Sequence, residues 1–288
     1  MQKWNYPYEV KRQKLSREIE LAYVDEGEGS QVLLFIHGLG SNLKAWIKNI
    51  EGLKHSYRCI AIDLPGYGKS SKQDYPFSMS FFAEAVLQFI DQLNIEAVTL
   101  VGHSMGGQIA VKVALMNAKR INNLVLVAPA GFETFTTQEQ KWLKMTITPE
   151  IIRIFTPRQI ASNFKLNFFD FPEDAHFMID DRLMMREAIA EYEYFCQMVP
   201  KCIDGMFRDA IFSFLPQLDL PTLVFFGLDD QLIPNRFLHA KMTPERVAKL
   251  GSAQILNHQL HLLPRTGHFV QWEKPYFVNS QMVAFLST

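Results

Sequence analysis

One stretch, residues 100–107, constrains the fold of this 288-residue chain more than any other. It reads Leu-Val-Gly-His-Ser-Met-Gly-Gly; a short apolar segment precedes it and a helical pattern follows it at residues 108–117. Glycines stand two residues before and two residues after Ser104, and a residue without a Cβ lets backbone cross closely over backbone. The pattern predicts a sharp strand-to-helix turn that exposes the Ser104 hydroxyl at its tip.

Strands and helices alternate along most of the sequence. Apolar residues at helical spacing, for example over residues 79–93, lie between short apolar segments. Strands buried on both faces are indicated by continuous apolar runs at residues 32–36, 59–62, 97–101, 124–128 and 221–226, and a further strand by alternation at 258–263. Residues 6–25 predict one or two exposed strands. This order predicts an α/β fold with a mainly parallel, doubly wound sheet.

A long segment, residues 132–215, interrupts this alternation. It contains no evident strand, shows helical patterns at 142–155 and 181–196, and is rich in aromatic residues and methionine. Such an apolar insertion between two strands predicts a helical cap laid over a core domain of residues 1–131 and 216–288. Most of its apolar side chains should pack against the core, and the remainder should line an adaptable apolar cavity.

Composition and charge exclude several classes of protein. A net charge of -1 and a pI near 6.7 predict no binding of nucleic acid or of an anionic membrane. The three cysteines include no Cys-x-x-Cys pair, so the sequence predicts neither a disulfide framework nor a zinc site. We see neither a secretory leader nor an apolar run long enough to span a bilayer, and we expect a soluble cytoplasmic protein.

A second glycine-rich loop, residues 63–70, superficially resembles a phosphate-binding loop because it ends in Gly-Lys-Ser. Asp63 stands where that pattern requires its first glycine, so the pattern fails. The sequence therefore predicts no nucleotide cofactor.

Residues that could carry chemistry follow the ends of the predicted strands. Ligands of a doubly wound sheet bind beyond the carboxyl ends of its strands. Four of these ends, in chain order, carry the loop His37-Gly-Leu-Gly, then Ser104, then Asp229 with Asp230, and finally His268. A nucleophile, an acid and a base in this chain order are expected in one fold that carries the Gly-x-Ser-x-Gly turn.

These motifs together resemble those of the α/β-hydrolase fold family. The resemblance rests on the serine turn, the His-Gly loop, Asp-x-Pro-Gly-x-Gly-x-Ser at 63–70, Gly-x-x-Asp-x-x-x-Pro at 227–234, and Gly-His at 267–268 followed by Gln-x-Glu-x-Pro at 271–275. It covers nearly the whole chain and is least specific over 132–215. It implies an eight-stranded, mainly parallel sheet with an inserted helical cap.

The resemblance implies a catalytic triad. Ser104 would be the nucleophile, and His268 would accept its proton, because a serine hydroxyl is protonated at neutral pH and needs a base. Asp230 best fits the acid that orients the imidazole. Two alternatives stay open: Asp229 in the same loop, and Glu133, because some members of the family carry the acid after the preceding strand.

The resemblance also implies an oxyanion hole formed by the backbone N–H groups of Leu39 and Met105. His37 and His103 flank the site and are interpreted as packing or loop-orienting residues. His258 and His261 are three residues apart on a strand and therefore point to different faces, so we predict no metal site.

Ser104 separates the chain from the epoxide hydrolases and haloalkane dehalogenases of the family, which carry aspartate at that position. The His-Gly-Leu-Gly loop lacks the Gly-Gly-Pro-Gly type of run found in proline iminopeptidases and many carbon–carbon bond hydrolases. The chain is most similar to carboxylesterases and lipase-like esterases. We expect hydrolysis of a small-molecule carboxylic ester with an apolar acyl or alcohol part, through an acyl-enzyme, by a monomer or homodimer without a cofactor.

Two alternatives remain at this stage. The same machinery could act on a thioester, a lactone or a carbon–carbon bond, or could form peracids as a perhydrolase. The chain could also be a small-molecule receptor that retains the triad.

Overall fold

The computed structural model describes residues 4–287 and contains an eight-stranded sheet. Its strands are β1 Lys11–Lys14, β2 Glu20–Glu26, β3 Val32–Ile36, β4 Arg58–Ile62, β5 Val98–His103, β6 Ile121–Val127, β7 Thr222–Gly227 and β8 His258–Leu263. The spatial order is β1-β2-β4-β3-β5-β6-β7-β8. Strand β2 is antiparallel to both β1 and β4, and every other neighbouring pair is parallel. The predicted mainly parallel α/β sheet is confirmed.

Helices fill the connections between the strands. They are α1 Ile47–Leu53, α2 Met79–Gln92, α3 Met105–Met116, α4 Thr137–Thr146, α5 Pro149–Arg153, α6 Pro157–Lys165, α7 His176–Glu187, α8 Ile189–Arg208, α9 Pro244–Ser252, α10 Val270–Glu273 and α11 Pro275–Leu286. Short 3₁₀ turns lie at Leu43–Trp46, Ala118–Arg120, Glu173–Ala175 and Phe212–Gln217. Within residues 4–287, no helix is both long and apolar enough to cross a bilayer.

The strand order reverses between β3 and β5. After β3 the chain adds β4 on one side, and β5 then returns to the other side of β3. Both strands are covered on both faces, which explains their continuous apolar sequences; β5 is buried throughout and only Val32 of β3 is partly exposed. Loops that leave the carboxyl ends of strands at such a reversal diverge and open a crevice. The crevice lies between the His37-Gly-Leu-Gly loop and Ser104.

Residues 132–215, all of which the structure describes, contain no strand and carry helices α4 to α8. The predicted helix over 142–155 is wrong in its bounds, because Thr148 caps a new helix that begins at Pro149. The predicted pattern at 181–196 is likewise divided, because Ala188 leaves the helical conformation with ψ 85°. The segment therefore consists of several short helices instead of a few long ones, and its status as a separate cap domain remains a prediction.

The N-terminal strands differ from the expectation of exposure. Residues Leu21 to Val24 of β2 are buried. Tyr23 packs edge-on against Phe89 of α2 with ring centroids 5.1 Å apart, and the Ala22 N–H donates to the Ser70 hydroxyl at 2.8 Å. Strand β2 is thus an interior strand of the sheet, and β1 forms the exposed edge.

Candidate active site

Ser104 occupies the strained turn that the sequence predicts. It lies between β5 and α3 with φ +53° and ψ −119°, a backbone conformation that residues other than glycine rarely adopt. Its N–H donates to the Val127 carbonyl at 2.9 Å, which holds the turn against β6. A Cβ on Gly102 would lie 2.3 Å from the Gly106 carbonyl oxygen, and one on Gly106 would lie 2.2 Å from the Ile36 oxygen. Both glycines are therefore required where three backbones cross.

Two backbone amides beside Ser104 have no acceptor within residues 4–287. Met105 is the first residue of α3, and the first amides of a helix have no intrahelical acceptor. The Leu39 N–H in the loop after β3 also makes no hydrogen bond to the described residues. Leu39 and Ser104 line the same cavity. Both N–H groups therefore remain without an acceptor next to the serine, and their role as an oxyanion hole stays a prediction.

His37 holds the loop that carries Leu39. Its Nδ1 donates to the Gly38 carbonyl at 2.8 Å, and its Nε2 accepts the Leu64 N–H at 3.1 Å. Burial lowers the pKa of His37, which favours the neutral ring that this donor and acceptor pair requires. Because the Gly38 carbonyl and the Leu39 N–H belong to one peptide plane and point in opposite directions, the bond from His37 also orients that N–H.

Asp230 is the carboxylate that contacts His268. The His268 Nδ1 donates to Asp230 Oδ2 at 2.7 Å, and both side chains are buried. Asp230 Oδ1 accepts the N–H groups of Leu232 at 2.8 Å and Ile233 at 3.1 Å. The neighbouring Asp229 makes no side-chain hydrogen bond or ion pair within residues 4–287. Both carboxylate oxygens of Asp230 therefore accept hydrogen bonds, and the bond to His268 fixes the proton of that imidazole on Nδ1.

Glu133, the other candidate acid, lies on the wall of the cavity but not on His268. Its Oε1 accepts His239 Nδ1 at 2.5 Å and the Asn235 N–H at 2.8 Å. On the other side of the ring, His239 Nε2 lies 3.2 Å from Glu139 Oε1 in α4. Burial raises the pKa of Glu133, against the effect of its hydrogen bonds. The geometry therefore assigns the contact with His268 to Asp230, and it gives Glu133 a different partner.

The backbone of His268 is held from two sides. His103 Nε2 donates to the His268 carbonyl at 3.0 Å, while the Asn167 carbonyl accepts the N–H groups of His268 and Phe269 at 2.8 and 3.1 Å. Burial lowers the pKa of His103 well below its usual value, and the neighbouring His268 lowers it further. His103 is thus a neutral packing residue, in line with its interpretation from the sequence. Asn167 belongs to the inserted segment, which therefore helps to place His268.

A cavity of about 410 Å³ lies between the strand ends and residues 132–215. Its wall is mainly apolar and is formed largely by side chains of the inserted segment and of the loop after β7. Its wall includes Ser104, His268, Glu133, Asn235 and Phe135. No lysine or arginine from the described part of the chain lines it.

Residues of the two motifs that the sequence analysis set aside have partners within the protein. The Asp63 carboxylate accepts the Lys69 N–H of the glycine-rich loop at 2.7 Å and the Leu43 N–H of the turn after β3 at 2.9 Å. His258 Nδ1 donates to the Ile255 carbonyl at 2.7 Å, and His261 stacks on Phe225.

Sequence reasoning missed the contacts made across the inserted segment. Arg182 of α7 donates to the Gly40 carbonyl at 2.5 Å, and its guanidinium lies 3.7 Å from the centre of the Phe195 ring. Gln108 of α3 donates to the carbonyls of Met206 and Asp209 at 2.9 and 3.0 Å. His239 was also missed. None of these residues carries a local sequence signal, because each partner lies far along the chain.

The order of strands, the strained serine and the histidine–carboxylate pair define the class of protein. The chain belongs to the alpha/beta hydrolase fold family, whose model matches residues 31–275.

The names of individual relatives specify different activities. The chain is 32% identical over 267 residues to the dihydrolipoyllysine-residue acetyltransferase component of the acetoin cleaving system of Pseudomonas putida, covering 90% of this chain and 64% of that protein. It is 29% identical to a 2-hydroxy-6-oxononadienedioate/2-hydroxy-6-oxononatrienedioate hydrolase of Paraburkholderia xenovorans, covering 94% and 91%. The first relative is thus matched over less than two thirds of its length, and the hydrolase over nearly all of it.

A solved structure is similar over the whole chain. A probable hydrolytic enzyme of Pseudomonas aeruginosa superposes with a TM-score of 0.87 at 21% identity, covering 99% of this chain and 96% of that one. This likeness shows that the two proteins share a fold that includes the inserted helices.

Proposed function

We propose that this α/β hydrolase is a serine esterase that cleaves carboxylic esters with apolar acyl or alcohol groups. The observation that carries the proposal is the pairing of His268 with Asp230 on one wall of a mainly apolar cavity that Ser104 also lines. In this proposal residues 132–215 act as the cap over the cavity. A cytoplasmic location and a monomeric or dimeric state remain predictions.

The proposed reaction has two halves. With the Nδ1 proton held by Asp230, His268 Nε2 takes the Ser104 proton as the hydroxyl oxygen attacks the ester carbonyl. The Leu39 and Met105 N–H groups bind the resulting oxyanion, and His268 passes the proton to the leaving alcohol as its bond to the acyl carbon breaks. Water, activated by the same ring, then hydrolyses the acyl-enzyme and restores the Ser104 hydroxyl.

The oxyanion hole supplies much of the rate in such a mechanism. One preorganised donor is typically worth about 3 to 4 kcal/mol to the transition state. The His37 hydrogen bonds support this role because they hold the Leu39 amide in place before substrate arrives.

The test is hydrolysis of p-nitrophenyl esters with increasing acyl length. We expect release of p-nitrophenol by the wild type, with an optimum length set by the cavity. The Ser104→Ala variant should lower kcat by about a millionfold. A fluorophosphonate should label the wild type and not the variant. Absence of Ser104-dependent turnover at every chain length would overturn the proposal.

A second candidate is hydrolysis of a carbon–carbon bond by the same residues. It is favoured by the dienedioate hydrolase relative, which matches this chain over nine tenths of both lengths. This candidate is less favoured than ester hydrolysis. The relative's name specifies a dioate, which carries two carboxylates, whereas no lysine or arginine of the described residues lines this cavity. Turnover of a dienedioate together with no turnover of any ester would favour carbon–carbon bond hydrolysis over ester hydrolysis.

A further inference from the structure

A buried carboxylate, Glu133, lines the cavity that contains Ser104, and the proposed reaction does not use it. Glu133 is 8% exposed. Its two carboxylate oxygens have different surroundings: Oε1 accepts from His239 and from the Asn235 N–H, whereas Oε2 has no hydrogen-bond partner within residues 4–287. Because Oε2 keeps accessible surface and Glu133 lines the cavity, a hydrogen-bond donor on a ligand in the cavity can bind it.

The side chain is held rigidly from one side. His239 is placed between Glu133 and Glu139, and its ring stacks on Phe135 with centroids 5.3 Å apart. The Asn235 side chain in turn accepts the N–H groups of Phe237 and Leu238, both at 3.1 Å, which fixes the loop that presents the Asn235 amide. The position of Oε2 is therefore set before a ligand binds, and little conformational freedom is lost on binding.

The charge of the cavity favours one chemistry of ligand. Glu133 is the only aspartate or glutamate that lines it within the described residues, and no lysine or arginine does so. Burial raises the pKa of Glu133 although its contacts with His239 and Asn235 oppose that shift, so a further donor at Oε2 would favour the charged form. A hydroxyl or ammonium group would supply a donor to Oε2, whereas a carboxylate has no proton to donate and would place its own oxygens against another acceptor.

We propose that Glu133 forms a polar subsite of the cavity that binds a hydrogen-bond donor, a hydroxyl or an ammonium group, on the substrate and rejects a carboxylate there. This inference rests on the proposed ester hydrolysis. Glu133 is thus a specificity-determining residue. It selects among esters by the chemical group at the end of the substrate that is distant from the scissile bond.

The first test compares four p-nitrophenyl esters whose acyl chain has the optimum length found in the test of the esterase proposal. The four acyl chains differ only in their terminal group, which is methyl, hydroxyl, ammonium or carboxylate. One hydrogen bond to a charged group is worth about tenfold to a hundredfold in binding. We expect wild-type kcat/KM for the hydroxyl- and ammonium-terminated esters to exceed that for the carboxylate-terminated ester by at least about tenfold. A wild-type preference for the carboxylate ester would overturn the inference.

The second test uses Glu133→Gln, which removes the charge and keeps the shape. The ratio of kcat/KM for the ammonium ester to that for the carboxylate ester should fall by about tenfold or more. Glu245→Gln is the control, because it removes the same charge from an exposed residue that pairs with Lys249. An unchanged ratio in Glu133→Gln would refute the subsite, and so would an equal loss on all four esters, which would indicate a role in the chemical step or in folding.

The two proposals fail in different ways. Absence of all Ser104-dependent ester hydrolysis in the wild type would refute the esterase function itself. Normal ester hydrolysis with no discrimination between the four terminal groups would refute only the subsite. Circular dichroism spectra of the Glu133→Gln variant separate loss of the fold from loss of selectivity, and the wild-type comparison stands without any variant.

Discussion

Substitution of Asp230 by asparagine should reverse the proton arrangement of His268. Asp230 Oδ1 accepts two backbone N–H groups, from Leu232 and Ile233. The amide oxygen of an asparagine would keep those donors, because its NH₂ group has no acceptor there. The NH₂ would then face His268 Nδ1, which is 2.7 Å from Oδ2 in the wild type. The ring must accept at Nδ1 and therefore carry its proton on Nε2, the atom that has to receive the Ser104 proton.

The size of the effect follows from this change of tautomer. A carboxylate-to-amide change in a Ser-His-Asp triad that keeps the geometry typically lowers kcat by about 10⁴-fold. At 1.36 kcal/mol per factor of ten, this is a loss of about 5 kcal/mol of transition-state stabilisation. The fold should be retained, because asparagine preserves the shape and the two backbone hydrogen bonds.

The assay is steady-state hydrolysis of the best p-nitrophenyl ester by the wild type, Asp230→Asn and Asp229→Asn. Asp229→Asn is the matched control, since its side chain makes no hydrogen bond or ion pair within residues 4–287 and its loop is the same. We expect the control to keep near-wild-type kcat. Near-normal kcat in Asp230→Asn would refute the assignment of the acid, and a parallel loss in Glu133→Gln on every ester would then point to Glu133.

Two further predictions concern packing. Gly106→Ala should destabilise the fold by about 3 kcal/mol in urea unfolding, because the new Cβ would lie 2.2 Å from the Ile36 oxygen and 2.6 Å from the His37 oxygen; an unfolding free energy equal to that of the wild type would contradict the close approach. The three thiols are buried, and burial raises the pKa of Cys59 and of Cys202 to about 12, so at pH 8 the native protein should react slowly with a disulfide reagent and yield three equivalents only when denatured. Rapid labelling of the native protein would contradict the burial.

The strand ends could be predicted because two independent signals coincide at each of them. A strand covered on both faces is a continuous apolar run, and the polar residues that follow it stand out at once. His37 after β3, Ser104 after β5 and Asp230 after β7 were found in this way, whereas β8, which precedes His268, was predicted from its alternation and is only partly buried. Spatial proximity then follows from the parallel order of the strands, which brings their carboxyl ends to one edge.

Contacts between distant segments could not be predicted from the sequence. The pairing of Glu133 with His239 joins residues that no local pattern connects, so Glu133 remained an alternative acid until its partner was visible. Strand β2 was misjudged for a related reason. Its alternation is weak, and its burial comes from α2 and from the glycine-rich loop, both of which pack on it only in the folded chain.

The double hydrogen bond at the Asn167 carbonyl limits how the enzyme can admit a ligand. Movement of Asn167 away from the core would release the amides of His268 and Phe269 together, and only Asp230 and His103 would then hold the histidine. We therefore expect Asn167 to stay against the core when a ligand enters the cavity.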